Sequence, residues 1–547
     1  MQAAKSRTNG DLLERVDDFF GIPRWAWLPT VVGLLDLAVA AFGYYWDVTW
    51  HIEKGRDEQI FTLPHTMIIV GLLGVGACGL LAHRLYTKAG APSGIRILRW
   101  TTAPGAALLV VCGGFAALGF PLDDVWHRLF GQDVTAWGPT HLLMISGAAL
   151  SPLAFGMLLA QGRRHIEGEF SVGFKALAFG VGGAMLVGLS AYQAEFDFGV
   201  PQFQLLFHPL LIAIASGLVL VATRHLLGRW SALGVAINYI VIRGLVDIGL
   251  IIAGRGPARF PSYLFTAVVV EATAHLFAKR PFANAVATGI GIGTIGLFGE
   301  SLILQLWNYH PWPLRMMLPA ILLGSVAAIA ASLLGRAIAA WMRPDVPTIG
   351  KAPVFAALAV LVIAMAIPLP RTVGAPIQTE MRLIPADAVA AASPEQVEQV
   401  QVFMTVEPAD AVNDADWFEI MAWQGGDQVI APLEATDGGY ETATSVPIGG
   451  EWKTLVRMAK GSQVVATPIY LPADPEVGAH GFAPRPNMSA TLELDSKLLL
   501  REAKGGPTWA IFAGYGTVIS VAVIWIGLIF WGLIRLRSSS DRLLQTA

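Results

Sequence analysis

The sequence predicts an all-α polytopic membrane protein of about 12 transmembrane helices, with an extracytoplasmic antiparallel β-sandwich domain inserted before the last helix. Two observations carry the helical part. Of 547 residues, 54% are hydrophobic and only 14% are charged, which is not the balance of a soluble domain. Those apolar residues are gathered into runs of about 20, the length that crosses a bilayer as a helix. A third observation carries the sandwich. Over residues 371–507 the long runs give way to short alternating ones, broken by glycine pairs and prolines.

Residues 1–26 are mixed in charge and lack the short apolar core of a secretory signal, so they read as a cytoplasmic N-terminal segment. The expected spans are 27–49, 64–86, 102–121, 139–161, 172–193, 203–224, 231–253, 260–278, 282–306, 314–341, 353–369 and 508–534. Eleven of them make a helical domain over 27–370, with duplicated hairpins at 27–86 and 102–161. The β-sandwich over 371–507, a C-terminal helix over 508–535 and a cytoplasmic tail over 536–547 follow. Glycines such as Gly71, Gly74, Gly76 and Gly79 let membrane helices approach closely.

Loop charge sets the orientation. Connections holding Arg84, Lys88, Arg96 and Arg99, then Arg163 and Arg164, Arg224 and Arg229, Lys279 and Arg280, and Arg343 and Lys351 are basic. They alternate with acidic or neutral connections at 50–63, 122–138, 194–202 and 307–313. This places the protein in the cell (inner) membrane with both termini cytoplasmic and 371–507 extracytoplasmic, a periplasmic domain in a cell with two membranes. Arg255 and Arg259 fall on the outer side, against the rule.

Several functions are excluded. A net charge of −3 gives no reason to expect a nucleic-acid partner. No P-loop, dinucleotide fingerprint, Gly-x-Ser-x-Gly elbow or His-Glu-x-x-His is present, so no nucleotide is expected either. The only cysteines, Cys78 and Cys112, lie in apolar spans and read as buried small side chains, not as a disulfide or a Cys-based zinc site. The lipid bilayer is the expected surround.

The chemistry is concentrated after the first span. Asp47, His51, Gly55, Asp57 and His65 follow the spacing Asp-x3-His-x3-Gly-x-Asp-x7-His, and the same spacing returns 76 residues later as Asp123, His127, Gly131, Asp133 and His141. Asp47 and His51 are one helical turn apart and share a face. Pro64 favours a helix start, setting His65 at the outer end of the second span. Two imidazoles and a carboxylate with open positions suit copper, iron or zinc. Asp57 and Asp133 are candidate acceptors for the second ring nitrogen of a ligating histidine. The simpler reading of one such pair is a hydrogen bond, and duplication alone preserves a fold without preserving a site. Ionisable groups at membrane depth favour the functional reading.

Further carboxylates and histidines fall on the same expected outer face: Glu195 with His208, and Glu300 with His310. They are candidates for further ligands or for groups supporting the ligands. Glu271 with His275, and Arg243 with Asp247, are spaced as charge-compensated i,i+4 pairs, the first of them also a candidate for a proton path. His83, His165 and His225 lie among the basic loops and read as solvated. In the β region His480 stands alone and Met404, Met421, Met458 and Met488 are scattered, so no ligand set is expected there.

The segment from Asp47 through Trp50 and His51 to Arg56, Asp57, Pro64 and His65 resembles the metal-site segment of the C subunit of copper membrane monooxygenases, which oxidise methane, short alkanes or ammonia. The family pattern is Asp-x3-His-x12-His with Trp before the first His and Arg-Asp five residues after it. This chain has thirteen residues between the histidines. The likeness covers about twenty residues and implies Asp47, His51 and His65 as copper ligands, with monooxygenase or membrane-oxidase subunits as partners. The run from Thr436 to Tyr440 and on to Trp452 resembles small extracytoplasmic sandwiches of the FixH/YtkA type, found with copper or respiratory-enzyme maturation. Three readings follow. The first is a copper-binding membrane protein related to these monooxygenases, oxidising a small substrate with dioxygen. The second is a copper carrier or assembly factor for a membrane oxidase. The third is a non-enzymatic membrane scaffold.

Overall fold

The structure is a computed structural model describing residues 10–55, 61–91, 94–131, 135–164, 166, 168–366, 373–386, 397–475, 478–499 and 505–546. Asp57, Asp133 and His165 lie outside the described residues. A short helix α1 (Gly10–Phe20) precedes α2 (Arg24–Lys54), α3 (Leu63–Lys88), α4 (Pro104–Phe130), α5 (Pro139–Arg163), α6 (Val172–Asp197), α7 (Phe207–Leu227), α8 (Ser231–Ile252), α9 (Leu264–Leu276), α10 (Pro281–Trp307), α11 (Leu314–Met342) and α12 (Lys351–Ala366). A two-strand ribbon, β1 (Ile95–Ile97) and β2 (Trp100–Thr102), joins α3 to α4. The last long helix is α14 (Thr508–Thr546).

Among the described residues, ten helices are long and apolar enough to cross a membrane, and the chain is an integral membrane protein. Twelve were expected. The expected span 260–278 is α9, of 13 residues, short of the length a full crossing needs, and the expected span 353–369 is α12 over 16 described residues, its end at 367–369 lying outside the described residues. In α9 the cause is local. Pro261 and the left-handed Tyr263 (φ +58°) hold the apolar run before Leu264 out of the helix.

Helices α2 to α5 form two consecutive hairpins, and the repeat explains where each element stops. Pro64 and Pro139 sit in the first turns of α3 and α5, where a missing N–H costs nothing. Thr62 caps α3 by accepting the amide of His65 (3.4 Å). Gly55 and Gly131 end α2 and α4 at φ +84° and +76°, a region that a side chain disfavours. The glycine of the repeat is therefore a helix terminator. The helices of a hairpin are close: a Cβ on Gly71 of α3 would lie 2.5 Å from the Asp36 carbonyl of α2.

Two expected charge pairs are replaced by others. Arg243 pairs with Asp197 (3.0 Å, both fully buried) and not with Asp247, which accepts the amide of Ala258. Glu271 pairs with Arg224 (2.6 Å) and accepts the amides of Trp230 and Ala232, so it is no partner of His275. In both cases a bend between helices brings a better-aligned donor than the same helix offers. His225 is likewise held, by Asn284 (3.0 Å) and Arg336, and is half-buried where solvation was expected. Arg255, the apparent breach of the loop-charge rule, neutralises Glu53 (2.9 Å) at the end of α2. Cys78 and Cys112 are buried, as expected.

Between α12 and α14 the chain forms a separate antiparallel domain: β3 (Gln378–Pro385), β4 (Glu398–Glu407), β5 (Trp417–Trp423), β6 (Val429–Thr436), β7 (Gly439–Thr442), β8 (Val446–Ile448), β9 (Lys453–Lys460), β10 (Gln463–Tyr470), β11 (Asn487–Thr491) and β12 (Glu493–Leu494), closed by α13 (Asp495–Leu499). The strand order is β11-β3-β4-β7-β6-β5-β9-β10-β12, with β8 also on β4. Met381, Val402 and Met404 from one half share a core with Ile420, Val456, Met458 and Val465 from the other. The methionines in these strands are packing residues.

The β domain docks on the membrane domain through charge. His310 Nε2 meets Glu419 Oε1 (2.9 Å), and Arg315 meets Asp416 (2.6 Å). The buried Arg457 bonds both the Pro201 carbonyl (2.7 Å) and Asp495 (3.0 Å).

Candidate metal centre

The fall of α2 toward Gly55 places Asp47 and His51 on the face turned to α3, and the cap at Thr62 fixes where His65 begins. The three side chains converge. His65 Nε2 lies 3.0 Å and His51 Nε2 3.7 Å from Asp47 Oδ1, and one donor atom from each residue lies within 4.8 Å of the other two. Ligands about 2 Å from a shared ion stand roughly 3–4 Å apart, so the set fits one metal after a small inward movement. Asp47 Oδ1 is buried, and the groups that face it are the two imidazole nitrogens. A buried carboxylate oxygen facing only imidazole nitrogens is a donor set suited to a cation.

The second copy repeats the arrangement. His127 Nε2 lies 3.7 Å from Asp123 Oδ2 and His141 Nε2 3.5 Å from Asp123 Oδ1, with donors again within 4.8 Å. Its surroundings are more elaborate. His141 Nδ1 lies 2.8 Å from the Thr135 carbonyl. A carbonyl only accepts, so Nδ1 carries a proton and Nε2, which faces Asp123, is the nitrogen that would ligate a metal. Glu195 holds that loop: Oε1 accepts from Thr135 Oγ1 (2.7 Å) and the Ala136 amide (3.2 Å), and Oε2 accepts from the Gln202 amide (3.1 Å). Thr140 donates its hydroxyl to Asp123 Oδ1.

Both triads open onto one cavity of about 380 Å³, in the range of small-molecule sites. Leu37, Ala41, Leu72, Phe120 and Val187 give it an apolar body, while Met421, Trp423 and Gln424 of the β domain also line it. Phe120 packs against the His65 ring (5.8 Å between centroids), which joins the second hairpin to the first site.

The other candidates divide. Among the described residues, the two triads are the groups of histidine, cysteine and carboxylate donors that converge on a point. Glu195 supports the second triad through Thr135 and is not in the donor set. Glu300 caps the start of α9, accepting from the Ser262 amide (2.9 Å), the Ser262 hydroxyl and the Phe265 amide. His208 accepts from Trp312 Nε1 (3.2 Å) and stacks on Phe196. His310 is spent on Glu419. None of these last three joins a triad, because each already satisfies a neighbouring helix end, ring or strand. Thr135, Thr140 and Gln424 were not anticipated. Thr140 directly precedes His141 where Pro64 precedes His65, so aligning the two copies would have exposed it.

No family model, curated protein or solved structure matches the chain.

Proposed function

We propose that this chain is a copper-binding integral membrane protein related to the copper membrane monooxygenases, with Asp47, His51 and His65 holding one metal and Asp123, His127 and His141 a second. The observation that carries this reading is the paired convergence: two imidazole nitrogens and one carboxylate oxygen within 4.8 Å of one another, built twice on equivalent hairpins and facing one cavity. Mere duplication of a fold would not need to keep all three donors pointed inward both times. Copper is preferred to iron or zinc on the likeness of the first segment to the monooxygenase motif. When bound, copper supplies a centre that cycles between oxidation states and so can pass electrons to dioxygen. The protein's part is to orient the imidazoles and carboxylates and to offer an apolar space beside them for a small substrate.

The finer topology belongs to the same reading. Both triads lie at the helix ends that meet the β domain, while Lys88, Arg163 and Arg224 sit at opposite helix ends. This supports an inner-membrane protein with cytoplasmic termini and an extracytoplasmic β-sandwich of the FixH/YtkA kind.

Elemental analysis of detergent-purified protein tests the assignment. Two copper ions per chain are expected, with one lost in His51→Ala and the other in His127→Ala. Metal-free protein of unchanged fold would sink the reading. Bound copper with no oxygen-dependent turnover would favour the carrier function.

A further inference from the structure

The last turn of α2 carries His51 and stops at Gly55, so its final carbonyls have no partners within the helix. Two of them are met from the β domain. Gln424, the residue after β5, donates its backbone N–H to the Ile52 carbonyl (3.2 Å) and its Nε2 amide to the His51 carbonyl (3.1 Å). To reach both it adopts φ +67°, a conformation that non-glycine residues seldom take. Its neighbours Met421 and Trp423 wall the cavity beside Asp47, His51 and His65. The second triad is secured differently. The His127 carbonyl receives the amide of Gly131 (2.9 Å) in its own turn, and His141 is held by Thr135 and Glu195.

Building on the metal reading of the first triad, we propose that Gln424 is a positioning residue for that site, holding the His51 turn in place so that metal binding there and docking of the β domain stabilise each other. The coupling is reciprocal by thermodynamic necessity. It belongs to the first site and not to the second, whose supporting contacts come from the membrane domain.

The test uses the full chain in detergent. Cu(II) alone is titrated against a competing chelator in the His127→Ala background, where only the first site loads, with and without Gln424→Glu. Glutamate matches glutamine in size, but it brings no amide donor to the His51 carbonyl and sets a negative charge at the negative end of a helix. Affinity should fall about ten-fold, the usual effect of losing a group that orients a ligand, and the hyperfine splitting of the Cu(II) signal should change. In the His51→Ala background, the same substitution should alter second-site affinity less than about two-fold, as for independent positions. An unchanged first site overturns the proposal, and so does an equal loss at both sites, which marks general loosening.

Hydrogen exchange without metal separates the clasp from the metal reading. Gln424→Glu should speed exchange of amides 51–55 about ten-fold while leaving amides 127–131 unchanged. No change at 51–55 overturns the clasp whatever copper does. Faster exchange there in a protein that binds no Cu(II) overturns the metal reading and the coupling built on it, and leaves the clasp standing.

Discussion

His65 and His141 hold the same place in the two copies, yet the residues that precede them differ by a hydroxyl. Thr140 donates to Asp123, whereas Pro64 offers Asp47 nothing. Glu195 adds a second difference, since its carboxylate takes three donors from the 135–137 loop and Gln202. Exchanging Glu195 for Gln places an amide N–H against one of those donors. We expect second-site metal affinity to fall roughly 10- to 100-fold in Glu195→Gln, with the first site unchanged, in a site-resolved titration. Much at this scale was legible in advance. The six triad residues were recoverable from spacing alone because a helix turn and a helix start fix where Asp47, His51 and His65 point. Glu195 was visible as a buried acid, but its role was not, because that depends on which loop folds over it. Nothing in the sequence near position 424 tied Gln424 to His51.

Each hairpin of the helical domain turns on a glycine, and the two are matched. Gly55→Ala forces a methyl into the left-handed region, at a cost of roughly 1–2 kcal/mol. The added methyl would lie in ordinary contact with the Gln424 side chain, at 3.4 Å, so the backbone strain at Gly55 is passed on next to the residue that meets the His51 turn. We expect Gly55→Ala to lower the midpoint of thermal unfolding and to weaken the first site selectively, and Gly131→Ala to do the same for the second. Equal effects on both sites in metal titration would contradict the matching. Helices as elements were readable because apolar runs of bilayer length have few alternatives. The exception was α9, where hydropathy counted residues that Pro261 and Tyr263 keep out of the helix. Interhelical pairing was the least readable feature. Arg243 and Asp247 have ideal spacing, yet the better geometry belongs to Asp197, 46 residues away in sequence.

Across the whole molecule, charges are buried where domains and helices meet. Arg243 and Asp197 are both fully buried, so Arg243→Leu leaves a carboxylate without its countercharge and should cost about 3–5 kcal/mol, read as a loss of folded protein at a given temperature. Topology is open to an equally direct test, because Cys78 and Cys112 are buried and give little background. Asp437→Cys, at an exposed turn of the β domain, should react with a membrane-impermeant maleimide in intact spheroplasts. Lys88→Cys should react only after permeabilisation. The opposite pattern would invert the orientation drawn from loop charge. That the β domain packs onto the same end of the bundle as both triads was anticipated from the alternation of basic and acidic loops. How it grips the bundle, through His310, Arg315, Arg457 and Gln424, was not, since each of these contacts joins residues far apart in the chain.

The bond from Gln424 to His51 spans 373 positions, whereas that from Thr135 to Glu195 spans 60. A ribosome delivers the second span early and the first late, an interval on the order of tens of seconds. During that interval α2 and α3 have already been made, but the β domain that supplies Gln424 to the end of α2 has still to follow. The two sites thus ripen in the reverse of their order in the chain: the one nearer the start is finished last.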